Sequence, residues 1–308
     1  MSFRISLSVI SIALIAVSCT HSEKRQGSKS TADNQSGSPR SDTEAKEDVD
    51  LSQQPTISEH KLGLLLGPGG LRTAAQLGLL KALSEENIRV HAVAGLEFGA
   101  LIGALFSEKA QPLGAEWKLQ KLKRSDLPSE GLLSRTIKPE SVDKLNSFLD
   151  KSFLAVRLEA FDVKFACPTW SARGNQLVME KQGTAKQVIK NCVGFLPYFA
   201  ANDFVAAPWA APEAVNWLKE QGADIIVYVD VLGGQSPLKA GTYDDPWSKL
   251  IWGQISQALY KLPNVTEKVS LLNSQSEYLS LDSMRESIQA AYQIGKDLSQ
   301  RLKSKYGL

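Results

Sequence analysis

The chain is short of several things, and each shortage removes a class of function. Its 308 residues carry 35 Lys and Arg against 33 Asp and Glu, a net charge of +2. A balance this close to neutral builds no basic nucleic-acid surface, so no nucleic-acid partner is expected. Long apolar runs are missing too: Ile5–Val17 is the N-terminal apolar stretch, and it is too short to span a bilayer. No internal repeat is present. There are three cysteines, Cys19, Cys167 and Cys192. Of the histidines, His60 sits at the edge of the folded part and His91 lies at the far end of its strand from any candidate site. No metal ion and no cofactor is expected. In particular, the glycine-rich turn Gly67-Pro68-Gly69-Gly70 has Thr73 near the place of a third glycine, which argues against a dinucleotide site.

What is there divides the chain into three parts. Met1-Ser2-Phe3-Arg4 supplies one positive charge, the apolar stretch follows, and Ala16-Val17-Ser18 leads into Cys19. Small residues before a cysteine, directly after an apolar core, resemble a bacterial lipoprotein signal. The resemblance implies a leader over 1–18 and a lipidated Cys19, with an ordinary secretory signal as the other reading. Thr20 follows in place of the aspartate associated with inner-membrane retention, so the expected location is the bacterial cell envelope, on the outer rather than the inner membrane. Residues 19–59 are Ser, Gln, Lys, Glu and Asp with few apolar side chains. Such a segment cannot bury enough surface to offset its ordering entropy. It reads as a tether with a typical span of roughly 35 Å. The folded domain is expected over 60–308. In an exported chain Cys167 and Cys192 are open to pairing, or to burial as small apolar residues. The unpaired reading is preferred, because sequence does not reveal their separation.

Leu62–Leu66 is an apolar run suited to a buried parallel strand. A helix is predicted over 71–86, a second strand over 90–94, and a fully buried helix over 100–106, which is apolar on every side. The middle, 111–158, is more polar and reads as helical. Val163–Ala166 and Asp224–Val231 read as strands, with a helix over 212–221 stopped by Gly222. A long helix closes the chain over 283–305. Strands alternating with helices imply an α/β fold with a mainly parallel sheet.

Two adjacent strand-turn-helix units carry the chemical signal. The first is the glycine turn, where amides of Gly69 and Gly70, followed by Arg72 at a helix start, can approach an anion closely. The second is Gly95-Leu96-Glu97-Phe98-Gly99. This is the pattern of a nucleophile elbow, a strained turn that presents one side chain at a helix N-terminus, with Gly95 and Gly99 permitting the tight turn.

Together these segments resemble the patatin-like phospholipase family. The resemblance rests on Gly69-Gly70-Leu71-Arg72, Gly78-Leu79-Leu80-Lys81-Ala82-Leu83, Val93-Ala94-Gly95 and Gly99-Ala100-Leu101. It resumes at Asn191–Pro197 and at Gly222-Ala223-Asp224-Ile225-Ile226-Val227 through Asp230, with Gly295 in the last helix. It implies a three-layer α/β fold, a mainly parallel central sheet flanked by helices. It also implies lipid acyl hydrolysis by a serine–aspartate dyad, and here the chain departs from the pattern. Glu97 stands where the serine belongs. The aspartate segment aligns with Phe204-Val205-Ala206-Ala207, which puts Ala206 at the acid position. Asp203 lies three residues earlier without the glycines that should follow it.

The glutamate admits three readings. It is a tolerated substitution in a dead site; or its carboxylate is a built-in ligand for the amides of Gly69 and Gly70, favoured by about 0.3–1 kcal/mol at a helix N-terminus; or it pairs with Arg72. Phe98 either crowds the pocket or packs in the core. The function expected is that of a lipid-anchored, non-catalytic patatin-like protein that binds a lipid, an acyl chain or a protein partner. The alternatives are an active lipid acyl hydrolase that uses non-standard residues, and a structural envelope protein. Neither a particular ligand nor an oligomeric state follows from the residues.

Overall fold

The computed structural model describes residues 60–128, 139–200, 202–238, 246–271 and 278–308. The leader, Cys19 and the tether expected up to residue 59 lie outside the described residues. The strands are β1 (Leu62–Leu66), β2 (Val90–Gly95), β3 (Glu140–Ser141), β4 (Lys164–Ser171), β5 (Gln176–Glu180), β6 (Phe199–Ala200), β7 (Phe204–Ala206), β8 (Ile225–Asp230) and β9 (Glu267–Ser270). The α-helices are α1 (Ala75–Glu85), α2 (Phe98–Ser107), α3 (Pro112–Leu119), α4 (Asn146–Phe153), α5 (Ala185–Val193), α6 (Ala211–Glu220), α7 (Pro246–Tyr260) and α8 (Met284–Tyr306).

A seven-stranded sheet runs β5-β4-β2-β1-β8-β9, with β7 on the far part of β4. The pairs β1–β2, β1–β8, β2–β4 and β8–β9 are parallel. β5 and β7 pair antiparallel with β4. β1 is buried at every position, as a strand covered on both faces must be. α2 and α6 both pack on β1, β2 and β4, while α8 lies along α1. These contacts make the helix-flanked, mainly parallel sheet that the resemblance implied.

Most expected elements are present with shifted ends. The predicted first helix opens as a 3-10 turn over Gly70–Ala74 before α1 begins. α2 is buried along its whole length. The middle region is less uniformly helical than expected: α3 and α4 are joined by short 3-10 turns and the two-residue β3, and 129–138 lies outside the described residues. β4 runs five residues past Ala166, beyond Pro168, because β5 and β7 pair with its second half.

The preference for unpaired cysteines is corrected. Cys167 in β4 and Cys192 in α5 form a disulfide, with Cα atoms 6.1 Å apart and a sequence separation of 25. α5 packs directly on β4, which brings the two Cβ atoms within bonding reach, and this proximity exists only in the fold. Closing a loop of this length is worth about 3 kcal/mol. The Cys167→Ala/Cys192→Ala variant is therefore expected to melt about 6–12 °C lower than the oxidised protein. Thermal unfolding with and without reductant measures this, and reductant should leave the variant unmoved.

Candidate functional site

β1 ends at Leu66 and hands the chain to the glycine turn, while β2 ends beside it at Gly95 and hands the chain to the elbow. The Leu96 amide of the elbow donates to the Leu66 carbonyl at the end of β1 at 2.9 Å, and the Gly67 amide of the glycine turn donates to the Val229 carbonyl of β8 at 3.0 Å. A Cβ on Gly99 would lie 2.5 Å from the carbonyl oxygens of both Leu66 and Gly67, so only glycine lets α2 start this close to β1. The elbow residue itself, Glu97, has φ 52 and ψ −126. A non-glycine residue there costs about 1–3 kcal/mol unless its surroundings impose it. Here the Glu97 carbonyl accepts the Ala100 amide at 2.8 Å and the Leu96 carbonyl accepts Gly99 at 2.9 Å, which fixes the turn.

The side chain that this turn presents does not face solvent. Glu97 is 1% exposed. Its Oε2 accepts the amides of Gly69 and Gly70, each at 3.0 Å. Its Oε1 accepts the hydroxyl of Tyr278. Burial pushes the Glu97 carboxyl above its ordinary value of 4.5, while the Tyr278 hydroxyl and the amides of Phe98, Gly70 and Gly69 pull the other way. All four opposing groups are neutral donors, and burial outweighs them.

Tyr278 is the residue that sequence reasoning missed. It stands 181 residues from Glu97, outside any motif, and nothing in Glu277-Tyr278-Leu279 distinguishes it. Its carbonyl accepts the Leu71 amide at 2.6 Å, so its backbone lies across the glycine turn. Gly70 makes room for this: it has φ +59, and a Cβ there would sit 2.3 Å from the Tyr278 carbonyl oxygen. The Tyr278 ring stacks on Tyr198 at 4.0 Å between centroids, and meets Trp252 edge-on at 5.7 Å and Phe98 at 6.4 Å. Phe98 also stacks on Phe199 at 6.1 Å. Phe98 thus packs in the core, and the rings of Tyr198, Phe199, Trp252 and Tyr278 are buried beside it.

The remaining predicted positions fall as follows. Arg72 is half-buried in the 3-10 turn, and no ion pair joins it to Glu97 among the described residues; the carboxyl faces the amides and the phenol instead. Ala206 ends β7 opposite Thr169, fully buried, and its amide donates to the Gly194 carbonyl at 2.9 Å. It offers no proton-accepting group. Asp203 is exposed and pairs with Arg173 at 2.9 Å. His60 bonds Asp224 at 2.5 Å, and His91 bonds the Gln221 carbonyl at 2.8 Å. The buried Asp230, at the end of β8, accepts the Leu232 and Gly233 amides at 2.8 and 2.9 Å, which commits it to shaping that turn. Among the described residues no group of three or more His, Cys, Asp or Glu side chains is placed to hold a metal ion.

A raised carboxyl pKa has a signed consequence. Folded Glu97 holds its proton to higher pH than the unfolded chain does. The stability linked to that proton is fully present below the unfolded value and is lost as pH rises through the folded one. Glu97→Gln keeps an acceptor for the two amides but does not titrate. Urea unfolding of both proteins from pH 4 to 8 should show the variant gaining on the wild type as pH rises; a pH-independent difference would contradict the burial argument. Glu97→Ala leaves two buried amides and a phenol without their acceptor and should cost about 2–4 kcal/mol at pH 4, with the difference narrowing as pH rises because the alanine does not titrate either.

Comparison with known proteins bears on this geometry. Residues 64–215 match the patatin-like phospholipase family. The chain is 28% identical over 179 residues to lysophospholipase NTE1 of Coccidioides immitis, covering 55% of this chain and 11% of that protein. It is 48% identical over 52 residues to the patatin-like phospholipase domain-containing protein ZK370.4 of Caenorhabditis elegans, covering 17% of this chain and 4% of that protein. Among solved structures, VipD from Legionella pneumophila superposes with a TM-score of 0.47 at 11% identity, over 80% of this chain and 67% of that one. The matched span takes in the glycine turn, the elbow and Ala206, and the chain therefore carries a patatin-like phospholipase domain.

Proposed function

We propose that this domain does not cleave esters at its elbow, and that it acts as a membrane-tethered binding protein of the bacterial envelope. The observation that carries the reading is the pair of 3.0 Å bonds from Gly69 and Gly70 to Glu97. In a hydrolase, amides so placed stabilise the negative oxygen of the transition state. Here a side chain of the protein itself occupies them. The group at the elbow is a carboxyl held above its usual pKa, not a hydroxyl beside a base, and the aligned acid position is the buried methyl of Ala206. Hydrolysis by the dyad needs a nucleophile and a base at these two positions, and neither is there.

Support for export comes from two sides. The resemblance of Ala16–Cys19 to a lipoprotein signal predicts acylation of Cys19, and the Cys167–Cys192 disulfide suits an oxidising compartment. The ligand class in keeping with the fold is a lipid or acyl chain. A second reading, an active lipid acyl hydrolase with non-standard residues, has in its favour the lysophospholipase activity named for the fungal relative.

A fluorophosphonate probe separates the two readings. The purified protein is expected to remain unlabelled under conditions that label a serine hydrolase. Labelling that persists in Glu97→Ala would reveal another nucleophile and overturn the proposal. Export is tested independently by growing cells with a labelled fatty acid: the wild type should take up label, and Cys19→Ala should not.

A further inference from the structure

Five large apolar side chains are exposed around one end of α7. Trp247 is 71% exposed, Leu250 50% and Ile251 40%. Their spacing, i, i+3 and i+4, places them on one face of the helix. The opposite face, with Ser248, Trp252, Ile255, Ser256 and Leu259, is buried in the domain. Leu196 and Trp209, 45% and 44% exposed, lie beside the helix. Phe195 touches Trp209 at 5.9 Å and Trp252 at 5.2 Å, and the Trp252 indole donates to the Leu196 carbonyl at 2.9 Å. The patch is therefore backed by the same aromatic cluster that ends on Tyr278 and Glu97. Exposed apolar surface of this kind on a folded domain marks a contact site.

We infer that the N-terminal half of α7, with Leu196 and Trp209, docks on a phospholipid bilayer. Two features select that occupant. The helix is apolar with a single charged residue, Lys249, and its exposed face combines tryptophan with aliphatic side chains, the composition that settles at the boundary between headgroups and acyl chains. The sequence that precedes the domain also leads to Cys19, about forty positions away, and a lipid carried there, as the proposed function has it, would hold a bilayer at high effective concentration. The inference takes from the proposed function only this tether.

The test installs the anchor chemically, so that it does not depend on acylation in the cell. The oxidised chain beginning at Cys19 is coupled through that thiol to a maleimide lipid in phosphatidylcholine vesicles with or without dibrominated phosphatidylcholine. Bromolipid is expected to quench tryptophan emission. With two of the six tryptophans on the patch, Trp247→Phe should remove about half of that quenching. Trp117, 71% exposed on α3, is the control: Trp117→Phe should leave the quenching unchanged. Both substitutions are at exposed positions and conserve an aromatic ring. Absence of quenching in the wild type, or an equal loss in the control, would overturn the inference. So would a lipid-free dimer, seen by sedimentation, in which Trp247 is already shielded, since the face would then belong to a second copy of the chain. Failure of fatty-acid labelling at Cys19 would refute the export reading and leave this result standing.

Discussion

The amides of Gly69 and Gly70 are buried, and a buried amide without an acceptor costs about 1–3 kcal/mol. Both point at the same place, where β1 and β2 end side by side, and no backbone carbonyl fills it. The oxygen that does belongs to Glu97. Much of the local structure follows from meeting that demand. The elbow must hold Glu97 at a positive φ for its side chain to turn back over β1. Gly99 must lack a side chain so that α2 can start against the Leu66 and Gly67 carbonyls. The second carboxyl oxygen then needs its own donor, and the Tyr278 segment lies across the glycine turn to provide it.

This arrangement separates two things that the fold usually delivers together. The backbone devices of a hydrolase are kept: a strained turn, a helix start beneath it and amides converging on one point. On the function proposed above, the side chains that would use them are not. A fold supports many functions, and the argument for any one of them belongs to the site. At this site both carboxyl oxygens are taken up by internal hydrogen bonds, with burial holding the pKa up.

How much of this could be read from residues alone varied with the physics of each element. β1, β2, α2 and β8 are apolar runs closed by glycines or acids, and elements buried on all sides announce themselves this way. The glycine turn and the elbow were visible because tight backbone geometry restricts residue type. The second half of β4, together with β5, β7 and β9, was not anticipated: the last three are short and only partly buried, so they carry no apolar run. α7 mixes exposed and buried tryptophans, which blurs its period. The disulfide and the role of Tyr278 depend on proximity across 25 and 181 residues, and no local pattern encodes either. Arg72 shows the opposite failure: adjacency to the turn suggested an ion pair, but the carboxyl found neutral donors first.

The stacked rings of Tyr198 and Tyr278, 4.0 Å apart and within 6° of parallel, have an optical consequence. Two phenols held this way, with the indole of Trp252 set edge-on to one of them, form a fixed chiral array of chromophores. Their near-ultraviolet transitions couple, so the domain carries its own spectroscopic signal at the point where Tyr278 meets Glu97. Any event that lifts Tyr278 from the glycine turn must break the stack, and the dichroism of the aromatic band would register it without a label.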